Sequence, residues 1–209
     1  MFDSERFTQA FFEGNAEEVK KLTQSFLGAG ESPETILNQG LIKAMGQVGV
    51  KFKNDEIFLP EVLLAARAMH AALALLKPAL RKSSTPMVTK IVLGTVKGDL
   101  HDIGKNLVAM MLEGGGFEVI DIGVDVSPEK FVQAAKEHGA KVVAMSALLT
   151  TTMMEMKSVI EALKTAGLGR SVKTIVGGAP VTEEFAKKVG ADGYAPDAAS
   201  AADLVKSLI

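Results

Sequence analysis

The sequence predicts a two-part chain: a bundle of about four helices over residues 1–86, then a doubly wound, five-stranded parallel sheet over residues 87–209. Three observations predict it. Apolar residues in the first part recur at helical spacing, with no clear strand between them. The stretch Arg81–Pro86 is short, polar and ends in proline, which is linker composition. After it, strand-like and helix-like runs alternate strictly, which implies parallel strands covered on both faces.

In the first part, Gly14-Asn15 precedes a helix that starts at Ala16 and carries acids in its first turn and lysines later, as a helix dipole prefers. Gly28-Ala29-Gly30 stops it. Ser32 is the N-cap of the next helix and Pro33 its first residue. Ile36, Leu37, Leu41, Ile42, Met45 and Val48 form its apolar face. A further helix runs from about Pro60 to Leu80, apolar at Val62, Leu63, Leu64, Ala66, Met69, Ala72, Leu73, Leu75 and Leu76.

In the second part, strands are expected at Lys90–Thr95, Phe117–Ile122, Lys141–Ser146, Thr174–Val176 and near Gly193-Tyr194. Helices are expected from Gly104 to Leu112 and from starts near Ser127-Pro128, Thr152, Thr182 and Ser200. The expected strand order is 2-1-3-4-5.

Composition narrows the function classes. A net charge of -2 leaves no footprint for nucleic acid or anionic membrane. The opening residues lack a basic segment followed by an apolar run, so no secretory signal is expected. No uninterrupted apolar stretch approaches the roughly 20 residues of a membrane span. A soluble, cytoplasmic protein is expected. The chain has no cysteine, which removes disulfides, thiolate nucleophiles and cysteine-ligated metals. Its three histidines are His70, His101 and His138. His138 precedes Gly139 at a helix end, where a cation suits the dipole, and both His138 and His70 are read as structural. Met153 and Met156 are read as packing residues.

Ligands of doubly wound sheets bind beyond the C-terminal strand ends, where the winding reverses between strands 1 and 3. Those ends are Gly94–Asp102 and Ser146–Thr152. The first loop is not a phosphate-binding P-loop: five residues, not four, separate Gly98 from Gly104, and Asn106 follows Lys105. It also lacks Gly-x-Gly-x-x-Gly, although Asp121 lies near the position of a ribose-binding acid. A phospho-receiver would need Asp at the end of strand 3, where Met145-Ser146 stands. The loop does hold Asp99 two residues before His101. A metal-ligating histidine commonly donates its other ring N–H to a carboxylate. The spacing equally allows a solvated loop histidine, with Asp99 capping the next helix.

Asp99-Leu-His101-Asp-Ile-Gly104, followed by Ser146-Ala-Leu148 and Gly177-Gly178, resembles the signature of B12-binding domains. The stretch Gly94–Asn106 resembles cobalamin-dependent methionine synthase and the corrinoid proteins of methylamine, methanol and betaine methyltransferase systems. Gly40-Leu-Ile-Lys-Ala-Met45, Val48-Gly49, Phe52 and Phe58-Leu-Pro-Glu61 resemble the helical cap of those proteins. The resemblance spans residues 5 to 209.

The resemblance implies a flavodoxin- or Rossmann-like cofactor domain behind a helical cap. It implies a cobalamin or related corrinoid cofactor, with His101 as axial cobalt ligand and Asp99 as its partner. The loop Gly98, Asp99, Leu100, His101, Asp102, Ile103 and Gly104 would contact the cofactor. Ser146, Leu148, Thr150, Gly177 and Gly178 would line the channel for its nucleotide tail. Thr152 falls where the methionine synthases carry a relay serine, and Ala198 falls near another cofactor contact. Phe52 and Leu59 would cover the upper cobalt face, where an apolar lid excludes water. The implied function is methyl carriage. A substrate-specific methyltransferase loads the cofactor, methylcobalamin is the loaded form, and a second enzyme passes the methyl group to tetrahydrofolate or coenzyme M. A reductive activase is an implied partner. The chain itself is read as a carrier that catalyses no complete reaction. A B12-dependent sensor is the competing reading, and a corrinoid-free α/β enzyme a third.

Overall fold

The computed structural model describes residues 4–80 and 89–209. The expected linker, Arg81–Pro86, lies outside the described residues. The described chain forms two compact units.

The helical unit comprises α1 (Ser4–Phe12), α2 (Ala16–Gly28), α3 (Pro33–Thr35), a π-helical stretch (Ile36–Ile42), α4 (Lys43–Lys53) and α5 (Leu59–Leu80). Ser32 is the expected N-cap, and Asn15 proves to cap α2. Asn15 accepts a hydrogen bond from the Glu18 amide at 3.0 Å, and Ser32 from that of Thr35 at 3.0 Å. The helix read from Ile36 to Val48 departs from α geometry. Its first turns are wound more widely, which shifts the phase of the buried face: Ile36, Gly40 and Leu41 are buried, whereas Leu37 and Ile42 are only partly so.

Helix α5 buries Val62, Ala65, Ala66, Ala68, Met69, Ala72 and Leu76, the stripe of a central bundle helix. Leu63 and Leu64, expected in that face, are instead 42% and 47% exposed. Despite Glu61 and Arg67, the window Leu59–Leu76 has a mean hydropathy of 1.5 and is long and apolar enough, by length and composition, to cross a membrane. Its apolar stripe packs against α2, α4 and α1.

The second unit runs β1 (Lys90–Thr95), α6 (Ile103–Gly114), β2 (Glu118–Asp121), α7 (Pro128–His138), β3 (Val142–Ser146), α8 (Glu155–Thr165), β4 (Lys173–Gly177), α9 (Glu183–Val189), β5 (Gly193–Ala195) and α10 (Ala198–Leu208). All strands are parallel, in the expected order 2-1-3-4-5. Both sheet faces are covered, so strand interiors are continuous apolar runs: Ile91, Val92 and Leu93, Val142 to Met145, and Ile175 and Val176 are buried.

Two helix starts differ from expectation. Helix α8 begins at Glu155 because residues 149–154 form a turn closed by the Thr152 and Met153 amides on the Leu149 carbonyl. Helix α10 begins at Ala198, since Asp197 is its N-cap and accepts from the Ser200 amide at 2.7 Å.

Register places the site. Thr95 pairs with Ser146, Ser146 with Gly177, and Gly177 with Ala195. One transverse row therefore lines up the C-terminal ends of β1, β3, β4 and β5. The motifs that follow these strands emerge side by side.

Candidate functional site

The chain leaves β1 through a tight turn. Gly98 has φ +79°, a left-handed value that suits glycine, and the Asp99 amide donates to the Val96 carbonyl at 3.2 Å. This turn directs Asp99 inward and His101 outward. The Asp99 side chain has 0% exposure, whereas that of His101 has 51%. Thr95 ties down the far side of the turn by donating its hydroxyl to the His101 carbonyl at 2.8 Å.

Asp99 does not cap α6. One carboxylate oxygen accepts from His101, from Nδ1 at 2.7 Å and from its amide at 3.1 Å. The other accepts from the Leu148 amide at 2.8 Å, the Leu149 amide at 3.2 Å and the Thr152 hydroxyl at 2.7 Å. Burial by itself raises the pKa of this carboxyl. The Leu148 amide, the His101 side chain, the Thr152 hydroxyl and the His101 amide outweigh that effect and hold it well below the usual carboxylate range. Asp99 is therefore ionised near neutral pH and can only accept. His101 Nδ1 must carry the proton of the shared bond, which leaves the Nε2 lone pair free as a donor. The Thr152 hydroxyl also lies 3.1 Å from the Leu149 carbonyl, but its single proton favours the shorter bond to a charged acceptor.

The loops at this sheet edge also expose aliphatic side chains. Leu100 is 72% exposed, Ile103 75%, Leu148 44% and Leu149 41%. Exposed aliphatic side chains on the loops that carry a presented imidazole are compatible with an apolar ligand. Among the described residues, no group of three or more acidic or histidine side chains could hold a bare metal ion. A single imidazole suits a metal whose other positions are filled by a macrocycle.

The remaining candidates occupy the same sheet edge. Asp102 and Gly104 are exposed at the start of α6. Ser146 is partly buried at the end of β3, and Thr150 is exposed in the turn before α8. Gly177 ends β4 and Gly178 follows it. At Gly178, φ is +124° and an added Cβ would lie 1.9 Å from the Ala147 carbonyl oxygen, so only glycine lets the two strand ends pass this closely. Ala198 is buried at the first turn of α10. Phe52, in α4, and Leu59, at the start of α5, belong to the helical unit and are partly buried there.

Two features escaped the sequence reading. Asp121, weighed only as a ribose-binding acid, forms an ion pair with Lys105 and accepts from the Gly123 amide at 2.9 Å. Lys105 is 3% exposed and also donates to Asn106 Oδ1 at 2.7 Å. Asp125 accepts from the Gly98 amide at 2.7 Å, a contact that no local pattern announces.

A doubly wound sheet that presents a carboxylate-held imidazole at its switch point, in a chain that begins with a helical bundle, defines a class of cofactor-binding protein. Comparison with known proteins agrees. A B12 binding domain matches residues 89–203, and a second B12 binding domain matches residues 4–77. The chain belongs to the B12-binding corrinoid protein family. It is 45% identical to trimethylamine corrinoid protein 1 of Methanosarcina mazei, over 88% of this chain and 86% of that one. A cobalamin-binding protein of Desulfitobacterium hafniense DCB-2 superposes with a TM-score of 0.83 at 32% identity, covering 100% of both chains. The methanol:cobalamin methyltransferase complex of Methanosarcina barkeri matches with a TM-score of 0.85 at 30% identity, over 97% of this chain and 78% of that one.

Proposed function

We propose that this protein is a non-catalytic methyl carrier in which His101 would hold the cobalt of a cobalamin or related corrinoid. The observation that carries the reading is the buried Asp99 carboxyl group holding a half-exposed His101 by Nδ1. When bound, the corrinoid supplies a cobalt that accepts a methyl group and gives it up again. The protein's part is to hold and to shield. Asp99 fixes the imidazole tautomer and orientation. Leu100, Ile103 and Leu148 offer an apolar seat. Ser146, Thr150, Gly177, Gly178 and Ala198 would receive the nucleotide tail. Residues 87–209 would hold the cofactor, and residues 1–86, with Phe52 and Leu59, would be its cap by resemblance to the family. Thr152 keeps Asp99 in place through its hydroxyl.

The names of the relatives favour a methylamine or methanol methyltransferase as the loading partner. A second methyltransferase serving tetrahydrofolate or coenzyme M would be the acceptor, with a reductive activase beside them, all in the cytoplasm. The test begins by loading the full chain with hydroxocobalamin. About one corrinoid per chain should survive gel filtration, and the reduced, loaded protein should exchange methyl groups when mixed with such a partner and its substrate. Failure to retain cobalamin would overturn the cofactor assignment. Retention without methyl exchange with any methylamine or methanol partner would overturn the carrier role.

A further inference from the structure

We propose that Asp125 is a positioning residue for His101, acting through the Gly98 amide and the Asp99 carbonyl. Beyond β2 the chain stays paired to β1: the Thr95 amide donates to the Gly123 carbonyl at 3.0 Å and the Val126 amide to the Thr95 carbonyl at 3.0 Å. Val96 and Val126 continue this pairing as an isolated parallel bridge. Between them Asp125 takes φ +51°, a left-handed conformation that costs a side-chain-bearing residue. In that conformation it grips the site loop twice. Its amide donates to the Asp99 carbonyl at 2.9 Å, and its carboxylate accepts from the Gly98 amide at 2.7 Å. The two bonds lie on neighbouring residues of the turn that aims Asp99 and His101. Glycine would adopt this φ without strain but offers no acceptor. The acid therefore contributes the grip on Gly98, and a glycine variant separates the lost grip from backbone strain.

This proposal rests on His101 being the cobalt ligand, and its test keeps the two ideas apart. Parent, Asp125→Gly, Asp125→Asn and His101→Ala chains are prepared with 15N-labelled histidine. Hydrogen exchange of the Gly98 amide is measured without cofactor. Nitrogen coupling in the electron paramagnetic resonance spectrum is measured after loading with cobalamin and reduction to Co(II). Asp125→Gly should speed Gly98 exchange at least tenfold and at least halve the fraction of cobalt coupled to histidine nitrogen. Asp125→Asn, which keeps a neutral acceptor, should fall between it and the parent. His101→Ala should lose the coupling. Unchanged Gly98 exchange in both Asp125 variants overturns the proposal. Faster exchange with undiminished coupling also overturns it, because Asp125 would then order the loop without placing the ligand. Absence of coupling in the parent instead defeats the ligand assignment on which the proposal rests.

Discussion

Asp99 Oδ1 and His101 Nδ1 stand 2.7 Å apart, the carboxylate wholly buried and the imidazole half exposed. Such burial is tolerable only because every other contact of the carboxylate is also a donor: three amides and a hydroxyl. The pair couples the interior of the sheet to its surface.

Replacing Asp99 by Asn tests that asymmetry. Each carboxylate oxygen faces N–H donors, so either orientation of the new amide sets an NH2 group against a donor. Unfolding by urea should show a loss of about 1–3 kcal/mol. An Asp99→Asn protein as stable as the parent would mean that these bonds contribute little.

Acid stability follows from the same residue. The folded-state pKa of Asp99 lies below its unfolded value of 3.8. The unfolded chain therefore binds this proton first, and stability is lost as pH falls from about 4 downward through the depressed folded value. Asp192 adds to the trend: burial raises its pKa, but the Thr174 amide, Lys173 and the Thr174 hydroxyl lower it overall. Thermal melts between pH 6 and 2.5 should show this acid limb. It should be shallower in Asp99→Asn, and an unchanged slope would contradict the assignment.

Two glycines of the site should respond in opposite ways. At Gly178 an added methyl meets the Ala147 carbonyl at 1.9 Å, in a backbone conformation that costs alanine about 1–3 kcal/mol before any overlap. Gly178→Ala should fold poorly even without cofactor. At Gly104, in the first turn of α6, nothing lies within 4 Å of an added Cβ. Gly104→Ala should be neutral or stabilise the cofactor-free chain by up to about 1 kcal/mol, since alanine is the better helix former. If Gly104 contacts the cofactor as the resemblance implies, the variant should nonetheless weaken cobalamin loading. Normal loading of Gly104→Ala would remove Gly104 from the contact set.

The Lys105–Asp121 pair should be unequal under mutation. Asp121→Ala strands an ammonium that is 3% exposed, with Asn106 Oδ1 as its described partner. Lys105→Met leaves a carboxylate whose side chain is 40% exposed and can hydrate. Denaturation should therefore show a loss of about 3 kcal/mol for Asp121→Ala and clearly less for Lys105→Met. The reverse order would show that the buried methylenes of Lys105 matter more than its charge.

Much of the architecture was legible from local signals. Ser32-Pro33, Ser127-Pro128 and Thr182 mark helix starts because a cap acts within three residues of itself. Strict alternation of strand and helix carried the parallel sheet and its order, and with them the position of the loop at His101. The same local reading failed where geometry departs from the regular period. It missed the wide winding of Ile36–Ile42, and it began α8 at Thr152 although that residue sits in a turn bonded to Leu149.

The sequence by itself determined the two-part plan, the strand order, and His101 with Asp99 as the candidate pair. It left open whether Asp99 caps a helix or buttresses the imidazole. Tertiary structure decided that point, because the deciding donors, Leu148 and Thr152, lie 49 and 53 residues away and arrive only through the register of β1 with β3. It likewise decided that Asp121 is taken by Lys105 and that Asp125 grips Gly98. Periodicity and capping report interactions within a turn or two of chain. Hydrogen bonds between strand ends depend on which strands are neighbours and on their pairing, so no run of adjacent residues records them.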